Sequence, residues 1–198
     1  TSDRHIALRT PPMSDSWNVE WPIARDAMKA IALAFGLAAC GIAHAQAVSE
    51  TAVKAAFVYN FAKFVEWPEA SFSAPDAPLQ LCIATGTDKL RDALSALTGK
   101  PVQSRHIAVR TAVSPGDTQG CHVLFIGRDH DHGALLESAR SQSALLTVGD
   151  AQGFTTSGGV IGLLPDRDRL RFEINAAAAQ RAGLRVSSQL MKLASPGK

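Results

Sequence analysis

Residues 53–68 read VKAAFVYNFAKFVEWP, and this stretch decides how the chain begins its fold. Phe57, Tyr59, Phe61, Phe64 and Trp67 place five of the chain's twelve aromatic residues (eight Phe, three Trp, one Tyr) in one helix-length segment. Val53, Phe57, Phe61 and Phe64 recur at helical spacing, and Ala55, Val58, Ala62 and Val65 form a second apolar row beside them. Ser49 and Glu50 suit a helix start, where a hydroxyl caps the free amides and a carboxylate meets the positive dipole end. Pro68 ends the segment by steering Trp67 away from helical geometry. Lys54, Asn60, Lys63 and Glu66 are the only interruptions, so the helix is expected to be buried round most of its circumference. Each buried aromatic contributes about 1.5–3 kcal/mol. The helix is therefore a core element, with an outward edge that can meet another protein.

The residues just upstream, 28–47, read MKAIALAFGLAACGIAHAQA. Lys29, an apolar run over 30–39 and Ala43-His44-Ala45 make an export signal with an A-x-A cleavage site, so residues 28–45 are expected to be removed. The run is short and alanine-rich for a membrane span. Residues 1–27 show no periodic pattern and are expected to be a disordered or non-native extension ahead of the natural start. Leu37-Ala38-Ala39-Cys40 offers a competing reading, a lipobox that would leave Cys40 lipidated and the protein membrane-anchored. With 20 basic and 18 acidic residues the net charge is +2, which gives no footprint for nucleic acid. Residues 46–198 suffice for one domain with its own core.

Either processing route leaves Cys82 and Cys121 to bond. In an oxidising compartment an even pair reads as a disulfide, the alternative being two buried free thiols. Cys82 lies inside the apolar run LQLCIA, which speaks against a catalytic role.

Strands are expected at Leu79–Ala84, 106–110, Val123–Ile126 and 145–148, and helices at 88–97, 134–141, 176–182 and Ser188–Leu193. A hairpin joins 160–164 to 170–174 across Pro165-Asp166-Arg167-Asp168. Leu170, Phe172 and Ile174 face one way; Arg169, Arg171 and Glu173 face the other. Asn175 caps the helix after it and Gly183 stops it. Strands alternating with helices give an α/β fold: a single layered domain, its mixed and mostly parallel sheet flanked by helices, with the antiparallel hairpin near the C-terminus.

Catalytic patterning is nearly absent. His130 and His132, in Asp129-His130-Asp131-His132, lack clear third and fourth ligands and sit where polar residues cap a helix, so no metal is assigned. Thr85-Gly86-Thr87-Asp88 follows a strand and opens a helix, a place where α/β folds bind phosphates, but without G-x-G-x-x-G spacing it reads as a turn and cap. His106 and His122 lie in or beside strands as surface or core positions. Arg167, Arg169, Arg171 and Arg185 read as a solvated face. No catalytic residue and no cofactor are expected.

The chain resembles the YfiR family of small periplasmic regulators. The likeness rests on VKAAFVYNFAKFVEWP after an export signal, LCIATG (81–86), GCHVLFIG (120–127) and RLRFEINAAAAQRAGLRVSSQLMKLA (169–194), and runs over 51–194. Cys82 and Cys121 match one cysteine pair of the family. A second pair found in some members is absent, with Thr156 and Leu163 in that region. The resemblance implies a non-enzymatic repressor. It would bind the periplasmic domain of an inner-membrane diguanylate cyclase, lowering cyclic di-GMP signalling and biofilm formation. An outer-membrane, peptidoglycan-associated lipoprotein would sequester it, and a homodimer is a further expectation. Phe57, Tyr59, Phe61, Lys63, Phe64 and Trp67 are the expected contact set. The competing reading is a periplasmic small-ligand sensor using a cleft near 85–88.

Overall fold

The computed structural model describes residues 49–195 apart from positions 113 and 168. The expected export segment, the extension before it and Cys40 lie outside the described residues.

Helix α1 (Glu50–Phe64) starts as its sequence dictates, with the Ser49 hydroxyl accepting from the Ala52 amide. It ends three residues earlier than the spacing predicts. Val65 turns extended, and β1 (Val65–Glu66) pairs antiparallel with β9 (Arg185–Val186) in a two-stranded ribbon. A β-branched residue with a partner strand gains more from pairing than from one further turn of helix. The burial of α1 also differs from expectation. One stripe is inside (Lys54, Ala55, Val58, Phe61 and Ala62), whereas Val53 and Phe57 are half-buried and Phe64 is exposed. Of the two apolar rows, packing selects the smaller-residue row plus Phe61, which lets the helix backbone approach the sheet closely.

The remaining elements are β2 (Leu79–Ala84), α2 (Asp88–Ser95), β3 (Pro101–Val102), β4 (Arg105–Thr111), β5 (Val123–Ile126), α3 (His132–Arg140), β6 (Leu146–Gly149), β7 (Ile161–Asp166), β8 (Arg169–Ile174), α4 (Ala176–Arg181) and α5 (Ser188–Leu193). One seven-stranded sheet runs β3-β4-β2-β5-β6-β7-β8. Its five central strands are parallel, and β3–β4 and β7–β8 are antiparallel. The mixed, mostly parallel α/β architecture with a C-terminal hairpin is as the sequence implies. The hairpin is longer than expected, since Pro165 pairs with Leu170 and Asp166 with Arg169. Pairing with β6 stops at Gly162, so the strand carries Pro165 beyond the point where its missing N–H would break a ladder on that side.

Alternation along each strand divides the core between the two sheet faces. Leu79, Leu81 and Ile83 of β2, with Val123 and Phe125 of β5, meet α1, α2, α4 and α5. Cys82, Ala84, Leu124 and Ile126 point the other way, toward Leu135, Leu136 and Ala139 of α3 and toward Phe154. Phe154 is fully buried, its ring lying flush between the backbones of Gly149 and Gly159, where a Cβ on either glycine would overlap it. Gly159→Ala should therefore cost about 1–3 kcal/mol by overpacking, read as a lower denaturation midpoint with unchanged slope. A midpoint equal to wild type would show that the ring can move aside.

Candidate functional site

The six aromatic and basic residues expected to meet a partner do not share one surface. Phe61 is fully buried, its ring 5.7 Å from that of Phe57 and 5.1 Å from that of Phe172. Trp67 is 9% exposed, with its indole N–H donating to the His122 carbonyl at 3.2 Å. Both belong to the core, because rings this deeply packed offer no area to a partner unless the domain opens. This corrects the sequence-level grouping, in which helical spacing alone could not say which face the sheet would take.

The other four stay on the outside. Phe57 is half-buried against Phe172, ring centres 5.7 Å apart. Tyr59 donates its hydroxyl to the Pro101 carbonyl at 2.7 Å, which fixes the ring across the end of β3. Lys63 and Lys100 bring their ammonium groups to 5.4 Å and 5.7 Å from the centre of the Tyr59 ring, within cation–π range. Phe64 is 36% exposed at the last residue of α1. Met191 and Leu193 of α5, 39% and 73% exposed, are the other large exposed hydrophobics among the described residues. A shallow groove lined by Phe57, Leu170, Phe172 and Leu193 lies beside this edge. Apolar side chains left in water beside cations are the composition of an interface core with its rim.

The second location is the switch point of the sheet, where the chain runs from β2 outward to β4 and then returns to β5 on the other side. Ligands of open α/β sheets bind at such a crevice. Here Thr85, Gly86, Thr87 and Gly127 surround the carboxylate of Asp129, which accepts from the Thr85 hydroxyl at 3.1 Å and the Thr87 hydroxyl at 3.2 Å. Desolvation pushes that carboxyl up. Hydrogen bonds from Thr85, Thr87 and the amides of Asp129 and Gly86 outweigh it and hold the group below the usual carboxylate range. A fixed negative charge thus occupies the space where a phosphate would bind. Thr87 takes the helix-start position of α2 as expected, yet its hydroxyl serves Asp129 and makes no capping bond.

Next to the crevice lies a pair that sequence spacing could not reveal. The Lys54 ammonium is 2.6 Å from Asp150 at the end of β6, and both side chains are nearly fully buried. Asp150 also accepts from the Arg128 amide at 2.7 Å, while Glu50 reaches Lys54 at 2.6 Å from the solvent side. The Lys54 hydrogen bond and charge lower the pKa of Glu50. Asp131 caps α3 through the Gly133 amide, His132 is its first residue, and His130 is half-buried. Among the described residues no group of three or more His, Cys, Asp or Glu side chains is placed to hold a metal. Arg171 pairs with Asp166 at 2.7 Å, and Arg167, Arg169 and Arg185 are exposed. Cys82 and Cys121 form a disulfide with their Cα atoms 5.9 Å apart. No helix among the described residues is long and apolar enough to cross a membrane.

No curated protein matches the chain. A solved structure, a conserved domain protein from Vibrio cholerae, is 12% identical with a TM-score of 0.47; the match covers 76% of this chain and 60% of that one. The YfiR/HmsC-like family model matches residues 51–195, and the chain belongs to that family.

Proposed function

We propose that this protein is an exported, non-enzymatic repressor. It binds the periplasmic domain of an inner-membrane diguanylate cyclase and holds it inactive, until an outer-membrane, peptidoglycan-associated lipoprotein draws it away. Family membership supports the regulatory role. The observation that carries the contact mode is the outward edge of α1, where Tyr59 is flanked by Lys63 and Lys100 and Phe64 stands in water. Repression needs differential affinity, so this edge must fit the inactive cyclase better than the active one.

The test is binding of the purified cyclase periplasmic domain to Lys63→Glu and Phe64→Ser variants. Residues at the centre of an interface contribute about 2 kcal/mol or more when truncated, so each variant should bind roughly thirtyfold more weakly. Both side chains are exposed, and the unfolding midpoint should stay at the wild-type value. Wild-type affinity in both variants would remove α1 from the interface. The small-ligand reading of the 85–88 cleft loses support from Asp129, whose carboxylate repels the anions such a crevice usually takes.

A further inference from the structure

We propose that His122 is a pH-sensitive clasp that holds the connector 69–78 against the sheet and releases it when the imidazole gains a proton. Besides Arg105 and the packing of Phe72 at the margin of the core, the connector has little else to attach it. Its own backbone bonds are local (Ser71 to Pro68, Phe72 to Glu69, Ala77 to Ala74), and the sheet ladder resumes only at β2. Its carbonyls are held by side chains reaching from β4 and the start of β5. Arg105 donates to Ala74 at 3.1 Å and to Ala77 at 2.7 Å, and the His122 ring meets the Ser71 carbonyl at 3.1 Å.

The partners of His122 dictate its tautomer. Nδ1 lies 3.0 Å from the Gln80 amide, which can only donate, and Nε2 faces a carbonyl, which can only accept. The ring is therefore neutral, with its proton on Nε2. A second proton would go to Nδ1 and point at the Gln80 N–H, donor against donor. The ring also stacks on Phe72, centres 4.3 Å apart and planes 15° apart, while the Arg105 guanidinium lies 3.6 Å from the centre of the same Phe72 ring. His122 occupies one face, so the guanidinium takes the other, and an imidazolium would place two cations across a single ring.

Of the elements packed around His122, β2 presents neutral Gln80, the ribbon side presents neutral Trp67, and β4 presents Arg105. The connector's own Glu69 and Asp76 are exposed to solvent. Burial first, with Arg105 adding to it and the Ser71 carbonyl opposing, holds the imidazole below its ordinary value of 6.5. The sign follows. The unfolded or unclasped state binds the proton more readily, so the clasp is complete above pH 6.5 and is lost as pH falls through the lowered folded value. Trp67 links the device to the end of α1, because its indole donates to the His122 carbonyl.

Hydrogen exchange of the connector tests this, with protection factors compared between about pH 7.5 and about pH 5. Between pH 6.5 and the lowered folded value, wild-type protection over 69–78 should fall with pH by up to about tenfold per unit, the limit for one proton, and then level off. Peptides from α2 and β5 should not change. His122→Gln can accept from Gln80 and donate to Ser71 without titrating, and its protection should be flat. A wild-type profile that is flat, or that His122→Gln reproduces, overturns the proposal. Nitrogen NMR of the wild-type imidazole gives a result independent of the variant's folding. A ring protonated on both nitrogens, or on Nδ1 alone, at neutral pH also overturns it.

Discussion

Asp150→Ala should destabilise the protein by about 3–5 kcal/mol, the cost of removing one member of a buried ion pair and leaving its partner charge uncompensated. The Lys54 ammonium, 5% exposed at the residue level, would keep only Glu50, which lies in solvent. The Arg128 amide would lose its acceptor as well. Asp150→Asn separates these effects. Its amide oxygen can still accept from Arg128, but an NH2 group would face the ammonium, so most of the loss should persist if the charge matters. Replacing both partners with apolar residues, Lys54→Met with Asp150→Leu, should recover much of the deficit, because an apolar pair of similar volume escapes the desolvation cost. Chemical denaturation of the four proteins decides it. A loss below 1 kcal/mol for Asp150→Ala would mean that water already reaches the ammonium.

That pair has no signature in the sequence. Lys54 interrupts an apolar helix at a position that helical spacing assigns to solvent, and its partner lies 96 residues away. Nothing in either local pattern signals the other. The central strands were legible because they are continuous apolar runs, such as LQLCIA and VLFI, buried on both faces as parallel strands must be. The β1–β9 ribbon was not, since two residues per strand carry no periodicity. The same limit governs the candidate surface. VKAAFVYNFAKFVEWP has two apolar rows, and either could have faced the sheet. Packing chose Ala55, Val58 and Ala62 with Phe61, which left Phe57 at the margin and Phe64 outside. Trp67 sits in the core for a different reason, since it follows the helix and turns inward to meet the carbonyl of His122. His122 itself reads as an ordinary strand-end residue, because the three partners of its ring, Ser71, Phe72 and Gln80, come from a connector and a strand more than 40 residues earlier.

Replacing Cys82 and Cys121 together by alanine should cost about 4 kcal/mol, the chain-entropy value for a loop of this length. The bridge spans 39 residues of sequence and ties the middle of β2 to the turn just ahead of β5. Alanine is the right probe. Both sulfurs are buried, and serine would add hydroxyls without assured partners, at about 1–3 kcal/mol each. Most of the effect should come from the unfolded chain, which gains freedom once the loop opens. The denaturation slope should therefore rise along with the fall in midpoint, because a more expanded unfolded state exposes more surface. A midpoint shift with no change in slope would place the effect in native packing around α3 instead. A loss below 1 kcal/mol would show that the parallel pairing of β2 with β5 already confines the two strands without the bridge. About 4 kcal/mol is a large share of the roughly 5–15 kcal/mol that a domain of this kind possesses. The bridge-free protein should still fold, because its two-faced core is large enough to stand alone. On the proposed reading its affinity for the cyclase domain should stay at the wild-type value near room temperature, since Tyr59, Lys63 and Phe64 lie on α1, on the opposite face of the sheet from Cys82.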